Sequence, residues 1–391
     1  MKKRKSGLGR GCIGLAILAA GSIFFLAGCW DSRELNSLAI VSGIAIDSGE
    51  NEAVRVAIQV IKPTDEKTAD SGSKEGNGAF IITAEGPSLA GTIQKADAKI
   101  SRTMFFSHNN LLVFGQAVAE AGMRKYFDYF LRDNENRRLV WLLIARDRAE
   151  NILNANMNFG SVSGADIYDL LENQKNYSQS VTVNVQDFLS RLLSETSAPL
   201  APIVEIDQTN NKIVDIVGTA IFDGDRMVGE LDIEQTRGCL WVNGTFGQGN
   251  MDVLSPDRQG IVSLHVKRAK SEIIPEIVED TVRMTIRIEA EAYISSDEVS
   301  AELLSTIARE TLEKNQREVI EKEIRSALKT AQELKTDIFG FGDQLYKYQP
   351  QEWKKIKQNW REIFPRIQVA LKIENKLRRT GTTVQPPVKL K

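Results

Sequence analysis

The 391-residue sequence has very few of the side chains that metal centres and acid–base catalysis usually need. It contains only two histidines, His108 and His265, and three cysteines. Neither histidine has another histidine three to five residues away, and the chain has neither a GxxxxGKS/T phosphate-binding loop nor a GxSxG nucleophile elbow. The net charge of −2 leaves no basic excess for nucleic acid. We therefore expect no enzyme activity, no metal, no cofactor and no nucleic-acid partner.

The overall composition is that of a folded protein with more than one domain. Hydrophobic residues make up 42% of the chain and charged residues 26%, which excludes a wholly disordered chain and a polytopic membrane protein. The length predicts about two to three domains.

The first thirty residues have the pattern of a bacterial lipoprotein signal. Residues 2–10 carry five basic side chains and no acidic one, and residues 13–27 are uncharged. A basic segment followed by about 15 apolar residues is typical of a secretory signal and is short for a membrane-spanning helix. The segment ends in Leu26-Ala27-Gly28-Cys29, a lipobox, whose cysteine thiol accepts a diacylglycerol. An uncleaved signal anchor is the alternative.

We predict that residues 1–28 are removed as a signal peptide and that Cys29 carries an S-diacylglycerol and an N-acyl chain. Two acyl chains hold a protein firmly at a membrane, since each buried methylene contributes about 0.8 kcal/mol. The cleavage removes five basic residues and shifts the net charge from −2 to −7, so anionic headgroups would repel the body and the lipid must hold it. Cys239 has apolar neighbours and is predicted to be a buried, inert thiol.

Alternating strand and helix patterns predict a mixed α/β domain over residues 29–157. Residues 139–144 (LVWLLI) are a continuous apolar run, typical of a central strand. Helices are predicted over residues 88–99 and 117–131. Residues 65–79 are polar and lack periodicity, so we interpret them as a loop between strands, with a binding loop as the alternative.

Residues 158–245 are predicted to form a middle domain of two short amphipathic helices and a β-hairpin. Asp223-Gly224-Asp225 supplies the tight turn of that hairpin. A C-terminal domain is predicted over residues 246–380 and a flexible tail over residues 381–391. The predicted fold is therefore mixed α/β and α+β, with three mixed domains.

The C-terminal domain has the most regular pattern. Residues 281–294 alternate apolar and polar side chains, as expected for one long strand with a single buried face. A long amphipathic helix is predicted over residues 297–334, and a second helix around Trp353 and Trp360 ends at Pro365. The expected architecture is an antiparallel sheet backed by the long helix.

Scattered acidic residues offer one possible pair of hydrolytic carboxylates. Their spacing follows turns and strand ends, so we interpret them as solvated loop acids, and we interpret the two histidines as solvated polar side chains. The acidic residues concerned are Asp207, Asp215, Asp223, Asp225 and Asp232.

We interpret the aromatic residues in the last third of the chain as structural. Trp353 and Trp360 lie at helical spacing, which favours core packing, with a protein-docking face as the alternative. The glycines of Phe339-Gly340-Phe341-Gly342 imply special backbone angles or a close approach. We interpret this segment as the junction between the last two helices.

Several blocks of the sequence closely resemble the Ger(x)C family of spore germination lipoproteins. They follow the family's order and span nearly the whole mature chain. The blocks are residues 29–35 (CWDSREL), 38–47 (LAIVSGIAID), 217–222 (VGTAIF), 227–229 (MVG), 234–238 (EQTRG) and 337–342 (DIFGFG), followed by Trp353, Trp360 and Phe364-Pro365.

The resemblance implies the C subunit of a nutrient germinant receptor, anchored by lipid to the outer face of the spore's inner membrane. It implies two partners, a polytopic A subunit with a large soluble domain and a multi-spanning B subunit. It also implies three mixed α/β domains and no catalytic residue, so Cys29 is the functional position that transfers. Small-molecule binding stays open.

A solute-binding lipoprotein that delivers a small molecule to a membrane transporter is the alternative function. That class needs two similar lobes around a hinge and an apolar cleft between them. The sequence predicts unlike domains instead.

Replacing Cys29 by alanine is expected to release the protein from the membrane or to block its processing, because the acyl chains have no other acceptor. Fractionation of membranes, with the protein's size measured in each fraction, checks this. Cys239→Ala is the matched control and should leave the protein in the membrane. A Cys29→Ala protein of mature size in the membrane fraction contradicts the predicted anchor.

Overall fold

The computed structural model describes residues 37–50, 53–62, 78–132, 139–155, 162–209, 213–278, 281–297 and 305–378. These residues form two β-sheets. The strands of the first sheet are β1 (Leu38–Ser48), β2 (Val54–Ile61), β3 (Ala79–Gly86), β4 (Thr103–Phe105), β5 (Leu111–Gly115), β6 (Trp141–Ala145), β7 (Leu200–Ile206), β8 (Val214–Asp223) and β9 (Arg226–Leu231). The strands of the second sheet are β10 (Gly249–Leu254), β11 (Ile261–Val278), β12 (Thr281–Asp297) and β13 (Gln368–Arg378).

Helices surround the two sheets. Those of the described residues are α1 (Leu89–Asp97), α2 (Gln116–Ala121), α3 (Arg124–Arg132), α4 (Ala149–Leu153), α5 (Ser163–Asn173), α6 (Val185–Leu192), α7 (Ile233–Asn243), α8 (Thr306–Glu333), α9 (Phe341–Tyr348), α10 (Pro350–Ile356) and α11 (Trp360–Ile363).

The first sheet is parallel at its centre and antiparallel on both sides. Its strand order is β3-β2-β1-β5-β6-β7-β8-β9, and β4 pairs with β1. Strands β1, β5, β6 and β7 run parallel, whereas β2, β3, β8 and β9 are antiparallel to their neighbours. Parallel strands need cover on both faces. Helices α1, α2, α3 and α6 cover one face, and α4 and α5 cover the other.

The domain boundary predicted at residue 157 separates β6 from β7 along the chain, yet both strands belong to this sheet. Strand β7 pairs in parallel with β6, with Ile144 opposite Ile203, and β8 and β9 extend the same sheet. The strands predicted for a middle domain therefore share a sheet with those of the N-terminal domain. The division into three domains stays a prediction.

The helix predicted over residues 117–131 is two helices, α2 and α3, separated at Gly122. The φ angle of Gly122 is 113°, which L side chains rarely adopt. The Asp225 carbonyl accepts from the N–H of Met123 at 3.0 Å, and Oδ2 of Asp225 accepts from the N–H of Arg124 at 2.9 Å. The turn of the β8–β9 hairpin thus fixes the break between the helices, and the hairpin prediction itself is confirmed.

The second sheet contains the long alternating strand predicted from residues 281–294. Strand β12 pairs antiparallel with β11 but parallel with β13, so the sheet is antiparallel apart from this last pair. A parallel pair needs a long crossover, and helices α8 to α11 supply it. Helix α8 begins after Ser305, whose Oγ accepts from the N–H of Ala308. Residues 298–304 of the predicted helix lie outside the described residues.

The predicted helix around Trp353 and Trp360 is also divided. The 3-10 turn Lys357–Asn359 separates α10 from α11, and Pro365 lies in a final 3-10 turn, Phe364–Arg366. Both tryptophans are buried nevertheless, so the prediction of core packing is confirmed.

A buried ion pair joins α7 to α8. Arg237 Nε donates to Glu323 Oε1 over 2.8 Å, and the two side chains are 9% and 6% exposed. The indole Nε1 of Trp241 donates to Glu323 Oε2 over 2.7 Å. A Cβ added at Gly238 would lie 2.1 Å from the backbone oxygen of Glu323, so the two helices pack in backbone contact. The EQTRG block therefore contains an arginine and a glycine that both serve this contact.

Replacing Glu323 by alanine is expected to lower the free energy of unfolding by about 3–5 kcal/mol, because Arg237 would remain as an unpaired buried charge. Urea unfolding measures the loss. Glu333→Ala is a control on the same helix, since that carboxylate is 65% exposed and 3.9 Å from Lys329. The control should change stability by about 0.5 kcal/mol or less; equal losses in both variants would contradict the role of the pair.

Candidate functional site

The predicted lipid acceptor Cys29 lies outside the described residues, as do the tail at 381–391 and most of the predicted loop at 65–79. Within the described part of the chain, no helix combines the length and apolar character needed to cross a bilayer. Cys239 is buried in α7, and burial raises the pKa of its thiol to about 12. This thiol therefore stays protonated at neutral pH, which confirms the prediction of an inert cysteine.

Each of the predicted loop acids has a local structural role. Asp207 and Asp215 accept hydrogen bonds from nearby backbone N–H groups. Asp232 caps the start of α7, and Asp223 pairs with Arg361 at 2.5 Å. Together with Asp225 at the helix break, these contacts favour the structural interpretation over a hydrolytic pair.

The two histidines lie in different parts of the fold and do not form a common site. His108 is exposed at the end of a 3-10 turn beside the first sheet. His265 Nδ1 lies 2.8 Å from Asn250 Oδ1 in the second sheet, and its ring packs on Tyr293. The described residues contain no group of three or more His, Cys, Asp or Glu side chains placed to hold a metal ion.

A buried carboxylate organises the junction between the two sheets. Asp337 is 7% exposed. Its Oδ1 accepts from the N–H groups of Phe339 and Phe341 at 3.2 and 3.1 Å. Its Oδ2 accepts from the N–H of Gly342 at 2.8 Å and from the indole Nε1 of Trp360 at 3.2 Å. The carboxylate thereby shapes the loop between α8 and α9.

This loop is tied to the first sheet through its backbone. The N–H of Ala198, just before β7, donates to the carbonyl of Asp337 over 2.8 Å. Arg191 Nη1, on α6, donates to the carbonyls of Ala198 and Ile338 at 3.1 and 3.2 Å. Apolar side chains from β7, β8 and β9 join the core of the second sheet at the same place. Polar and apolar contacts together hold the two sheets in one arrangement.

The glycines of the DIFGFG block serve the same loop. Gly340 has a φ of 69°, in the left-handed region. A Cβ added at Gly342 would lie 3.0 Å from the backbone oxygen of Thr196 and 2.9 Å from the Trp353 ring. The predicted special angle and close approach are therefore confirmed. The segment predicted to join the last two helices joins α8 to α9 instead, and α10 and α11 follow it.

Burial sets the protonation of Asp337. Removal from water raises the pKa of its carboxyl from 3.8 to about 6, and the four N–H donors offset that rise only in part. The group is therefore ionised at neutral pH and becomes protonated in mildly acidic solution.

A polar cleft lies beside this junction. One cavity of about 390 Å³ is lined from the end of α5 through residues 178–183 to α6 and the end of α7. A second cavity of about 480 Å³ is lined by α6, Asn243 and the loop at 339–344. Ser190, Arg191 and Asn243 line both cavities.

Sequence reasoning assigned no role to Asp337 or Arg191 at this junction. Asp337 carried a signal, since an acidic residue followed by two closely spaced glycines is typical of a side chain that binds successive backbone N–H groups. Arg191 carried none, because an arginine on a short amphipathic helix usually faces solvent.

Comparison with known families gives two matches that cover most of the chain. The model described as "Spore germination protein N-terminal domain" matches residues 31–206, and "Spore germination B3/ GerAC like, C-terminal" matches residues 217–381. The first matched region ends with β7 and the second begins within β8, so both include strands of the first sheet.

Individual proteins match over nearly their whole length. Spore germination protein KC of Bacillus subtilis (strain 168) is 28% identical over 402 residues, covering 96% of this chain and 98% of that protein. Spore germination protein A3 of the same organism is 25% identical, over 91% of this chain and 95% of that protein. The crystal structure of the GerBC protein matches with a TM-score of 0.58 at 19% identity, over 89% of this chain and 99% of that one.

The fold and these matches define a spore germination protein. The chain belongs to the Ger(x)C family. Its mixed α+β architecture, with a large mixed sheet and a second sheet that is mostly antiparallel, confirms the predicted fold class.

Replacing Asp337 by asparagine is expected to remove a pH dependence from the stability. Because the pKa is raised in the folded state, this group stabilises the fold fully below about pH 4, and that contribution is lost as the pH rises through about 6. The wild type should therefore lose about 2 kcal/mol relative to the variant between pH 4 and pH 7, because a pKa unit is worth about 1.4 kcal/mol and the carboxyl of the unfolded chain is already partly ionised at pH 4. Urea unfolding at both pH values measures this, and a pH-independent difference would contradict it.

Proposed function

We propose that the chain is a lipid-anchored, non-enzymatic subunit of a spore nutrient germinant receptor, required for germination in response to nutrients. The observation that carries the proposal is the match to spore germination families over residues 31–206 and 217–381. The first match begins two residues after the predicted lipid acceptor Cys29. The lipobox and the family region therefore adjoin.

The length of the tether supports a position close to the membrane. Eight residues separate Cys29 from the start of β1 at Leu38, and the nine Cα-to-Cα steps between the two span about 30 Å when fully extended. Strand β1 lies inside the first sheet, between β2 and β5. A lipid on Cys29 would hold this sheet within reach of membrane-embedded partners at the outer face of the spore's inner membrane.

The proposed partners are the polytopic A subunit and the multi-spanning B subunit of the receptor. A mature chain of net charge −7 is not drawn to anionic headgroups, so the lipid and the partners together would determine its position. The buried acids support a role without chemistry, because Glu323 and Asp337 are both engaged by donors that hold helices and loops together.

The alternative of a solute-binding lipoprotein receives less support from the fold. Such proteins close two similar lobes around a hinge. Within the described residues the two sheets are unlike, since the first is mixed and nine-stranded and the second has four strands.

Spores that carry Cys29→Ala are expected to respond poorly to nutrients, and a membrane-spanning helix fused ahead of Trp30 in the same variant should restore much of the response. The reason is that the lipid serves only to hold the body at the membrane. Loss of optical density after nutrient addition measures germination, and affinity purification from dormant spores identifies the co-purifying subunits.

Cys239→Ala spores serve as the control and should germinate normally. Normal nutrient germination of spores that lack this chain would contradict the receptor role. Failure of the fused helix to rescue Cys29→Ala would contradict a purely positional role for the lipid.

A further inference from the structure

The second sheet ends in a strand whose outer edge is open. Strand β13 is last in the order β10-β11-β12-β13, so only β12 pairs with it. The N–H of Leu377 donates to Glu313 Oε1 of α8 over 2.9 Å, on the side away from β12. Because backbone groups alternate in direction along a strand, those of Leu371, Ile373 and Asn375 point the same way. The described residues provide no hydrogen-bond partner for these backbone groups on that side.

Two other sheet edges are closed by side chains of neighbouring segments. Lys95 and Lys99 donate to carbonyls of β3, the edge strand of the first sheet. Arg237 and Asn315 donate to carbonyls of β10, at the opposite edge of the second sheet. Proteins close sheet edges in this way because an unpaired strand recruits other strands. Within the described part of the chain, residues 371–375 of β13 lack such a cover.

The outer face of β13 carries two charges in unfavourable positions. Lys372 lies directly opposite Arg287 of β12, and Glu374 lies directly opposite Glu289. Like charges that face each other on neighbouring strands destabilise a sheet. Arg287 forms an ion pair with Glu272 at 2.8 Å, whereas the described residues offer no ion-pair partner to Lys372 or Glu374, which are both exposed. A strand on the open edge with the opposite charges would supply the missing partners.

We propose that β13 of a second copy of this chain occupies the open edge. Antiparallel pairing about a two-fold axis at Ile373 places Lys372 opposite Glu374 of the second copy, and Glu374 opposite Lys372 of the second copy. The same pairing joins the open backbone groups of Leu371 to those of Asn375 in the second copy. The interface is isologous, so it closes at a dimer. This inference does not depend on the proposed receptor role.

The charges select this register from its two nearest neighbours. An axis at Lys372 would place lysine opposite lysine, and an axis at Glu374 would place glutamate opposite glutamate. An axis at Asn375 would need the N–H of Leu377, which Glu313 Oε1 already accepts. The pairing therefore spans residues 371–375 of each copy, and the side chain of Asn375 stays bound to α8.

Sedimentation equilibrium of the full chain, in detergent at matched density and over a range of protein concentrations, tests the proposal. The wild type should form a dimer. Lys372→Glu should weaken the dimer about tenfold or more, because the two-fold axis turns both attractive pairs into glutamate pairs. Combining this change with Glu374→Lys should restore the dimer, because the exchanged charges again lie opposite each other. Lys354→Glu, at an exposed position of α10, is the matched control and should dimerise like the wild type.

The unfolding temperature distinguishes a lost interface from a lost fold. At a concentration at which the wild type is monomeric, Lys372→Glu should unfold at the same or a higher temperature, because the new carboxylate lies opposite Arg287. Disulfide formation checks the register. A chain with Lys372→Cys, mixed with a chain with Glu374→Cys, should form a linked pair, since the Cα atoms of directly opposite residues at such positions are about 4.5 Å apart. Lys372→Cys alone should form far less.

The proposal is overturned if the wild type stays monomeric, or if Lys372→Glu dimerises as well as the wild type. A chain that dimerises only after residues 381–391 are removed would assign the edge to its own tail and would also overturn the proposal. A lower unfolding temperature of monomeric Lys372→Glu would show that the fold itself uses the lysine, which contradicts the unfavourable charge pair on which the proposal depends.

Discussion

One buried carboxylate shapes the loop at the junction between the two sheets. Asp337 accepts hydrogen bonds from three backbone N–H groups and the indole of Trp360, and the loop that it shapes accepts hydrogen bonds from Ala198, just before β7, and from Arg191 on α6. A buried charge is tolerable only when such donors replace water. Gly340, with a φ of 69° in the left-handed region, lies between the residues whose N–H groups surround the carboxylate.

Local patterns in the sequence predicted the features that depend on local geometry. The alternation at 281–294 identified β12 because side chains in a strand alternate between faces. The turn at 223–225 identified the β8–β9 hairpin because its Asp-Gly pair is typical of a tight turn between two strands. Strand pairing between distant parts of the chain left no such pattern in the sequence. No residue pattern in β7 to β9 indicates that these strands extend the sheet of β1. The parallel pairing of β13 with β12 depends on the path of the helices between them.

The candidate site was predictable only in part. The glycines of the DIFGFG block pointed to a constrained loop, and the structure places that loop at the junction. Gln174, Arg191 and Asn243 come from three different helical segments, and only tertiary packing brings them to one cavity. A single glutamine or arginine on an amphipathic helix has no distinguishing pattern, so the cavity could not be found before the fold was known.

Family membership connects this body to spore germination, and the predicted lipobox is the basis of the proposed membrane anchor. We propose that the chain is held a short distance above the bilayer by its lipid and acts by binding the other receptor subunits. Mass spectrometry of the protein purified from spore membranes tests this most directly. A mature chain that begins at Cys29 and carries two ester-linked acyl chains on its sulfur-bound glycerol is the expected result; an uncleaved chain with a free thiol at residue 29 would contradict it.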